Sequence, residues 1–320
     1  MVYTHNFMQT VGILGGAGFI GSYVTQKFLN EGYIVKVSTT DLAKPEKYQH
    51  LHQLSLAENL TIREVDVTNE AALGEFLRDC NIVVHSGTPF QLAAENPQKE
   101  VFEPTVRGTE NFLKVVSQTP SVQKVVFVAS VGALNTAYPM PVPYYPVDHL
   151  YTEADEPYLD PEAIPYARAK YYADQAVRTF VATYPQPGFE IVSVSPTGVM
   201  GKPLSAREDS TSVGLQYLIK HKIAPNPFVQ MMFDHDVEMA IVSVSDVAEG
   251  IFRAATTAGL HGRNYLINSE SYKISDMTLM LNGRSPINAA RNVYSYALAA
   301  QELGMQFQPA YVPLSEWADV

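Results

Sequence analysis

The stretch "VGILGGAGFIGSYV" (Val11–Val24) runs from a short β-forming segment through a glycine-rich turn into a helix-forming one. Gly16-x-Gly18-x-x-Gly21 fits a dinucleotide fingerprint, and Gly15-x-x-Gly18-x-x-Gly21 fits its relative with one more intervening residue. A first glycine permits the tight strand-to-helix turn, a second lets the backbone reach a pyrophosphate, and the last lets helix and strand pack closely. The helix N-terminus then turns free N–H groups and a positive dipole toward the phosphates. A glycine pattern alone is equally a bare tight turn, so its weight depends on what surrounds it.

What surrounds it is a strand-helix alternation. Further β-rich runs occupy 33–39, 60–66, 81–86, 122–130 and 189–195, with amphipathic helices expected at 19–31, 44–57, 70–79, 98–118 and 164–184. Strand alternating with helix implies a parallel sheet covered on both faces. The near-continuous apolar "VVFVA" is what a strand buried on both sides requires. After Pro196 the rhythm breaks, then resumes with a strand at 238–245, a helix at 246–258 and a strand at 264–268. The expected fold is α/β: a doubly wound parallel sheet of the Rossmann type with a smaller C-terminal substrate-binding domain. Residues 1–199, with 238–268 returning, form the first unit; 200–237 and 269–320 form the second.

Composition bounds the partner. The chain has 320 residues, 46% hydrophobic and 17% charged, enough to bury a substantial core. A formal charge of -11 disfavours nucleic acid, which needs clustered Lys and Arg. No apolar run is long enough to cross a bilayer, and the opening "MVYTHNFMQTVG" lacks the basic and long apolar regions of a signal peptide. A cytoplasmic location and a small-molecule substrate are therefore expected. Cys80 is the single cysteine, which rules out an internal disulfide and is read as packing. His50 with His52, and "DHD" at 234–236, lack a further ligand set at recognisable spacing, so no metal site is expected.

The strand ends nominate the cofactor-binding residues. Gly15, Gly18, Phe19, Ile20 and Gly21 form the phosphate turn. Thr39 and Thr40 fall at the tip of the second strand with Asp41 beyond; neutral hydroxyls followed by Lys44 and Lys47 leave room for a 2′-phosphate, which favours NADP over NAD, with Lys44 as its cation. Asp66 and Val67 end the third strand, where adenine would lie, and Ser86, Gly87 and Thr88 end the fourth.

The segment "IPYARAKYYADQA" (Ile164–Ala176) puts Tyr166 and Lys170 on one helix face. With 19 tyrosines a chance match is expected, and Tyr23-x-x-x-Lys27 is one, inside the first helix with no serine-bearing strand beside it. Tyr166 differs because the fifth strand delivers Ser130 to the carboxyl edge where doubly wound folds bind ligands. A phenol has an ordinary pKa near 10, and a nearby ammonium should lower it. Ser130 would then hydrogen-bond a substrate oxygen, Tyr166 exchange its proton, and Lys170 tune Tyr166 and hold a nicotinamide ribose. Between Asn135 and Pro165 lie seven prolines and five tyrosines, read as a long functional loop whose rings either meet a substrate or pack on one another.

"GGAGFIG", Ser130 and "YARAK" together resemble the extended short-chain dehydrogenase/reductase family, within the NAD-dependent epimerase/dehydratase superfamily. The chain is similar to its dihydroflavonol reductase-like branch through "VVHSGTPF" (83–90), "EPTVRGTENFL" (103–113), "FVASVGA" (127–133), "YTEADE" (151–156), "PTGVMGKP" (196–203) and "VSVSDVAEG" (242–250). The resemblance carries the catalytic roles onto Ser130, Tyr166 and Lys170, sets Pro196, Thr197 and Val199 against the nicotinamide amide, and implies a homodimer through helices 98–118 and 164–184. The chain departs from that branch at Leu14, at "VAS" before Val131, and in lacking an arginine after the second strand. The implied activity is an NADP-dependent carbonyl reductase, reversibly an alcohol dehydrogenase, acting on a small ketone or aldehyde. The alternative is a nucleotide-sugar epimerase or dehydratase with bound NAD; against it, Ser130 is followed by Val131 and Gly132 rather than an acidic pair.

Overall fold

The computed structural model describes residues 9–87, 96–206 and 210–318. The first half builds β1 (Thr10–Leu14), α1 (Phe19–Asn30), β2 (Ile34–Thr39), β3 (Leu60–Glu64), α2 (Glu70–Leu77), β4 (Ile82–His85), α3 (Glu103–Val116), β5 (Lys124–Val128) and α4 (Val131–Leu134). It continues through α5 (Pro165–Thr183), β6 (Glu190–Pro196), β7 (Gly198–Met200), α6 (Thr211–His221), α7 (Pro227–Asp234), β8 (Glu238–Ser243) and α8 (Val244–Thr256). The remaining elements are β9 (Asn264–Ile267), β10 (Glu270–Lys273), α9 (Ile274–Leu281), α10 (Ala297–Leu303) and α11 (Tyr311–Ser315).

Among these residues seven strands form one parallel sheet in the order β3-β2-β1-β4-β5-β6-β9. This is the doubly wound α/β arrangement the alternation implied. Period-2 alternation splits its side chains between two layers. Val11, Ile13, Ile82 and Val84 pack with Val24 and Phe28 of α1 and Val247 and Ile251 of α8. Leu14, Val83 and Val125 face the other way, onto Phe76 of α2, Phe112 of α3 and Val177 of α5. Gly12 on β1 meets the fully buried Cys80, whose Sγ would lie 2.9 Å from a Cβ at 12, so the thiol fills core space. The order reverses between β2 and β4, on either side of β1, which places a crevice at their carboxyl ends.

A second, smaller sheet runs β10-β8-β7, with β8 parallel to β7 and antiparallel to β10. The expected return of 238–268 to the large sheet is therefore corrected in part: β9 joins it and α8 covers it, but β8 does not. The position beside β6 is taken by β9, and the chain turns off the large sheet after Pro196, so β7 supplies a new edge on which β8 pairs. The small sheet buries Met239, Ile241 and Tyr272 against Ile219, Met277, Leu314 and Trp317.

Two local expectations also change. The helix expected at 44–57 is three short 3₁₀ turns, Pro45–Lys47, Gln49–Gln53 and Ala57–Asn59, broken by non-helical backbone at Tyr48, extended backbone at Leu54 and left-handed backbone at Leu56. The 98–118 segment begins as a π-helical turn over Gln98–Phe102 before α3, which carries Pro104 in its first turn. The tyrosines of the 135–165 loop mostly pack on one another: Tyr145 stacks on His149 at 4.0 Å, and Tyr151 on Tyr294 at 4.7 Å. No helix among the described residues is long and apolar enough to cross a membrane.

Candidate functional site

At the reversal point a cleft of about 780 Å³ runs along the carboxyl ends of β1, β2, β4, β5 and β6 and on into the small sheet. Its floor is the glycine turn. Gly15 takes a positive φ of 77°, and a Cβ there would lie 2.7 Å from Gly87 Cα, so the turns after β1 and β4 touch backbone to backbone. A Cβ on Gly21 would lie 2.1 Å from the Gly15 carbonyl oxygen. Gly16 instead backs onto Val37. Of the two spacings, the one counted from Gly15 therefore describes the turn. Gly18 caps α1 without a side chain, and the first turn, with Phe19 and Ile20, carries no acid, so the positive end of the helix opens on the cleft.

Hydroxyls hold these turns in register. Ser38 Oγ accepts the Gly15 N–H at 3.0 Å, and Ser86 Oγ donates to the Leu14 carbonyl at 2.8 Å. Thr39, Thr40, Asp66 and Val67 line the adenosine end, and Val67 also packs on Gly108 of α3. Lys44 does not line the cleft; it pairs with Asp41 at 3.5 Å just before the 3₁₀ turn that Pro45 opens. Lys47, rather than Lys44, lines the cleft here and donates to Thr40 Oγ1 at 3.0 Å. Thr88 lies outside the described residues.

The three candidate catalytic residues meet at the end of β5. Ser130 caps α4, its Oγ accepting the Gly132 N–H at 3.1 Å. Pro165 starts α5, its fixed φ suiting the first helical position. A Cβ added to Gly132 would lie 3.9 Å from Ala167, so small residues let α4 and α5 approach closely. That approach brings the Tyr166 phenol into hydrogen bond with Ser130. Lys170, one turn on, is buried and donates to the Val128 carbonyl at 3.1 Å. Pro196, Thr197 and Val199 close the opposite wall, with Thr197 Oγ1 on Asn268 Oδ1 at 3.1 Å. Tyr23 and Lys27 take no part: Tyr23 donates to the Lys202 carbonyl at 2.8 Å, and Lys27 pairs with Glu31 and Glu249.

Electrostatics qualify one expectation. Burial pushes the Tyr166 phenol up to about 12, and its Ser130 hydrogen bond only partly offsets this. Burial pushes the Lys170 ammonium down to about 8 against the opposing pull of Asp174. The phenol expected to be lowered by Lys170 is thus raised instead, because desolvation dominates and the opposing pull comes from Ser130. At neutral pH the phenol keeps its proton, which is the form a proton donor needs. His85, buried behind Lys170 between Phe112 and Phe127, is held near 4 mainly by burial and further by the Lys170 charge, so it is neutral.

The donor set fits a dinucleotide: a glycine cradle that any Cβ would fill, an uncapped helix start for a pyrophosphate, and hydroxyls with an ammonium at the β2 end. The residues that reading strand ends missed lie on the far side of the cleft, among them Tyr138, Met200, Phe228, Met232 and Met239. They come from a loop and from the small sheet and its helices, where no motif marks them.

A doubly wound sheet with this turn at its reversal point, and a Tyr-Lys pair on the same edge, defines a dinucleotide-binding protein of the Rossmann class. The chain belongs to the NAD dependent epimerase/dehydratase family, whose model matches residues 11–268, and within it to the extended short-chain dehydrogenases/reductases. It is 27% identical to cinnamoyl-CoA reductase CAD2 of Medicago truncatula, over 82% of this chain and 77% of that one. Identity is also 27% to a dihydroflavonol 4-reductase of Hordeum vulgare, over 86% and 74%. The yeast methylglyoxal/isovaleraldehyde reductase Gre2, solved with NADPH, superposes with a TM-score of 0.79 over 97% of both chains at 19% identity, which shows the shared fold.

Proposed function

We propose that this protein reduces a small, largely apolar ketone or aldehyde to its alcohol with NADPH. The observation that carries the reading is the meeting of Ser130, Tyr166 and Lys170 in a cleft continuous with the glycine turn. When bound, the nicotinamide supplies the hydride that the carbonyl carbon gains. Ser130 donates a hydrogen bond to the carbonyl oxygen, and Tyr166 gives that oxygen its proton. Lys170 holds the nicotinamide ribose and places a positive charge beside the phenolate that Tyr166 leaves behind. The turn residues from Gly15 to Gly21 hold the pyrophosphate, Asp66 and Val67 flank the adenine, and the 196–199 wall bears on the nicotinamide amide.

Lys47, with the neutral hydroxyls of Thr39 and Thr40 beside it at the β2 tip, makes the case for NADPH over NADH. A charge-assisted hydrogen bond to a 2′-phosphate contributes about 1.5–3 kcal/mol. Lys47→Glu is therefore expected to weaken NADPH binding about 10- to 100-fold while leaving NADH within a few-fold, read by quenching of protein fluorescence. Lys44→Glu should do much less. Equal losses for both cofactors would reject Lys47 as the discriminating residue.

The reading itself is tested by following nicotinamide absorbance with both cofactors across a panel of ketones and aldehydes. Turnover of apolar carbonyls with NADPH is the expected result. Inertness toward all of them, together with conversion of a nucleotide sugar, would replace it with the epimerase reading.

A further inference from the structure

The substrate end of the cleft is an apolar wall in which methionine recurs. Met200 ends β7, Met239 lies in β8 and Met232 on α7; all three are buried and line the cleft beside Phe228 and Leu215. Three separate elements supply them, so they are not the apolar stripe of one helix. Among the described residues lining the cleft, the charged side chains are Lys47 and Asp66 at the adenosine end and Lys170 beside Ser130. The described part of this wall therefore offers the hydroxyls of Ser205, Ser210 and Ser212 but no charged partner to a carboxylate or phosphate, and burying one there without a countercharge would be costly.

Gly198 decides where Met239 lies. A Cβ at 198 would sit 2.5 Å from Met239 Cε and 3.1 Å from both the Ala240 carbonyl oxygen and the Tyr138 hydroxyl. Close approach, rather than an unusual φ, is what calls for glycine here. The thioether methyl thus rests on the 196–199 backbone, next to the assigned nicotinamide wall. Tyr138 is locked beside it: its hydroxyl accepts the Gly198 N–H at 3.1 Å and donates to the Ala240 carbonyl. With its one proton committed, Tyr138 presents its ring to the cleft as hydrocarbon.

We propose that this wall receives the larger substituent of the carbonyl substrate as an uncharged aromatic or aliphatic group, and that Met239 determines the size accepted. The proposal rests on the carbonyl-reductase reading above. An unbranched, polarisable thioether adapts to differently shaped apolar groups, which suits a site taking a range of them.

The test is the ratio of kcat/KM for 4′-tert-butylacetophenone to that for acetophenone, with NADPH, in the wild type and in Met239→Ala and Met239→Phe. Alanine should raise the ratio about 10-fold or more and phenylalanine should lower it similarly, with NADPH affinity unchanged. Should the alanine variant fail to fold, the phenylalanine variant carries the test. 4-Acetylbenzoate, which carries a carboxylate on the larger substituent, should be poorer than acetophenone by about 100-fold. A ratio indifferent to residue 239, or 4-acetylbenzoate used as well as acetophenone, overturns the proposal. Binding of 4′-tert-butylacetophenone is also read by saturation-transfer NMR, which needs no turnover. Binding that depends on residue 239 without reduction of any carbonyl would sink the reductase reading and keep the wall's assignment; binding independent of residue 239 would sink the assignment.

Discussion

Tyr166→Phe is expected to lower kcat for carbonyl reduction by about 10³-fold, within the span that a positioned proton donor contributes, while NADPH affinity stays within about 3-fold. The substitution removes one hydroxyl and leaves the ring where α5 holds it against Ser130. With that hydroxyl gone, the alkoxide forming on the substrate has no proton source at hand. Ser130 cannot replace it, because its hydrogen bond to the substrate oxygen supplies polarisation without an acid of suitable strength. Single-turnover kinetics at saturating NADPH separate this loss from slow product release. A variant that reduced its substrate at the wild-type rate would remove Tyr166 from the mechanism and leave the cleft without an assigned acid.

Lys170→Met should abolish turnover to a comparable degree and at the same time stabilise the fold. Burial holds the folded-state ammonium near 8, below the ordinary 10.5 of the unfolded chain. Between those two values the unfolded chain keeps a proton that the folded chain has released, so the unfolding free energy rises with pH across that window. Below about 8 the full cost of the buried charge is present. Methionine fills the same space without it, so at neutral pH the variant should gain about 1–3 kcal/mol in unfolding free energy. The difference from wild type should shrink as pH rises through the window and be absent above it. Asp174 keeps its ion pair with Arg178 at 2.5 Å, so no new orphan charge offsets the gain. Chemical denaturation of both proteins at neutral and at high pH measures this. A destabilised variant would mean that the hydrogen bond from Lys170 to Val128 outweighs desolvation.

The opposition of activity and stability expected at Lys170 is consistent with the role proposed for the pair. In this structure the ammonium donates to the Val128 carbonyl and the phenol holds its proton firmly. The proposed reduction would require a protonated Tyr166 at the start and a stabilised phenolate at the end. Desolvation secures the first, and the nearby charge of Lys170 serves the second.

The order of strands and helices was legible in the chain because parallel-sheet strands buried on both faces must be apolar throughout, and because a strand-to-helix turn this tight must be glycine. Those requirements are local, and they were enough to place Gly15, Ser130, Tyr166 and Lys170 on one sheet edge. The 3₁₀ turns at 45–59 and the pairing of Lys44 with Asp41 were not legible, since a helical pattern of polar and apolar residues does not reveal that the backbone leaves the helix at Tyr48, Leu54 and Leu56 in succession. Nor was the partner of β8, because an apolar strand pairs with whatever edge the fold leaves open, and β9 had already taken the one beside β6. Sequence by itself determined the class of fold and the chemistry that its edge permits. Only the tertiary structure decided which lysine faces the cleft and which methionines line its far wall, because those depend on contacts between segments distant in the chain that no local spacing encodes.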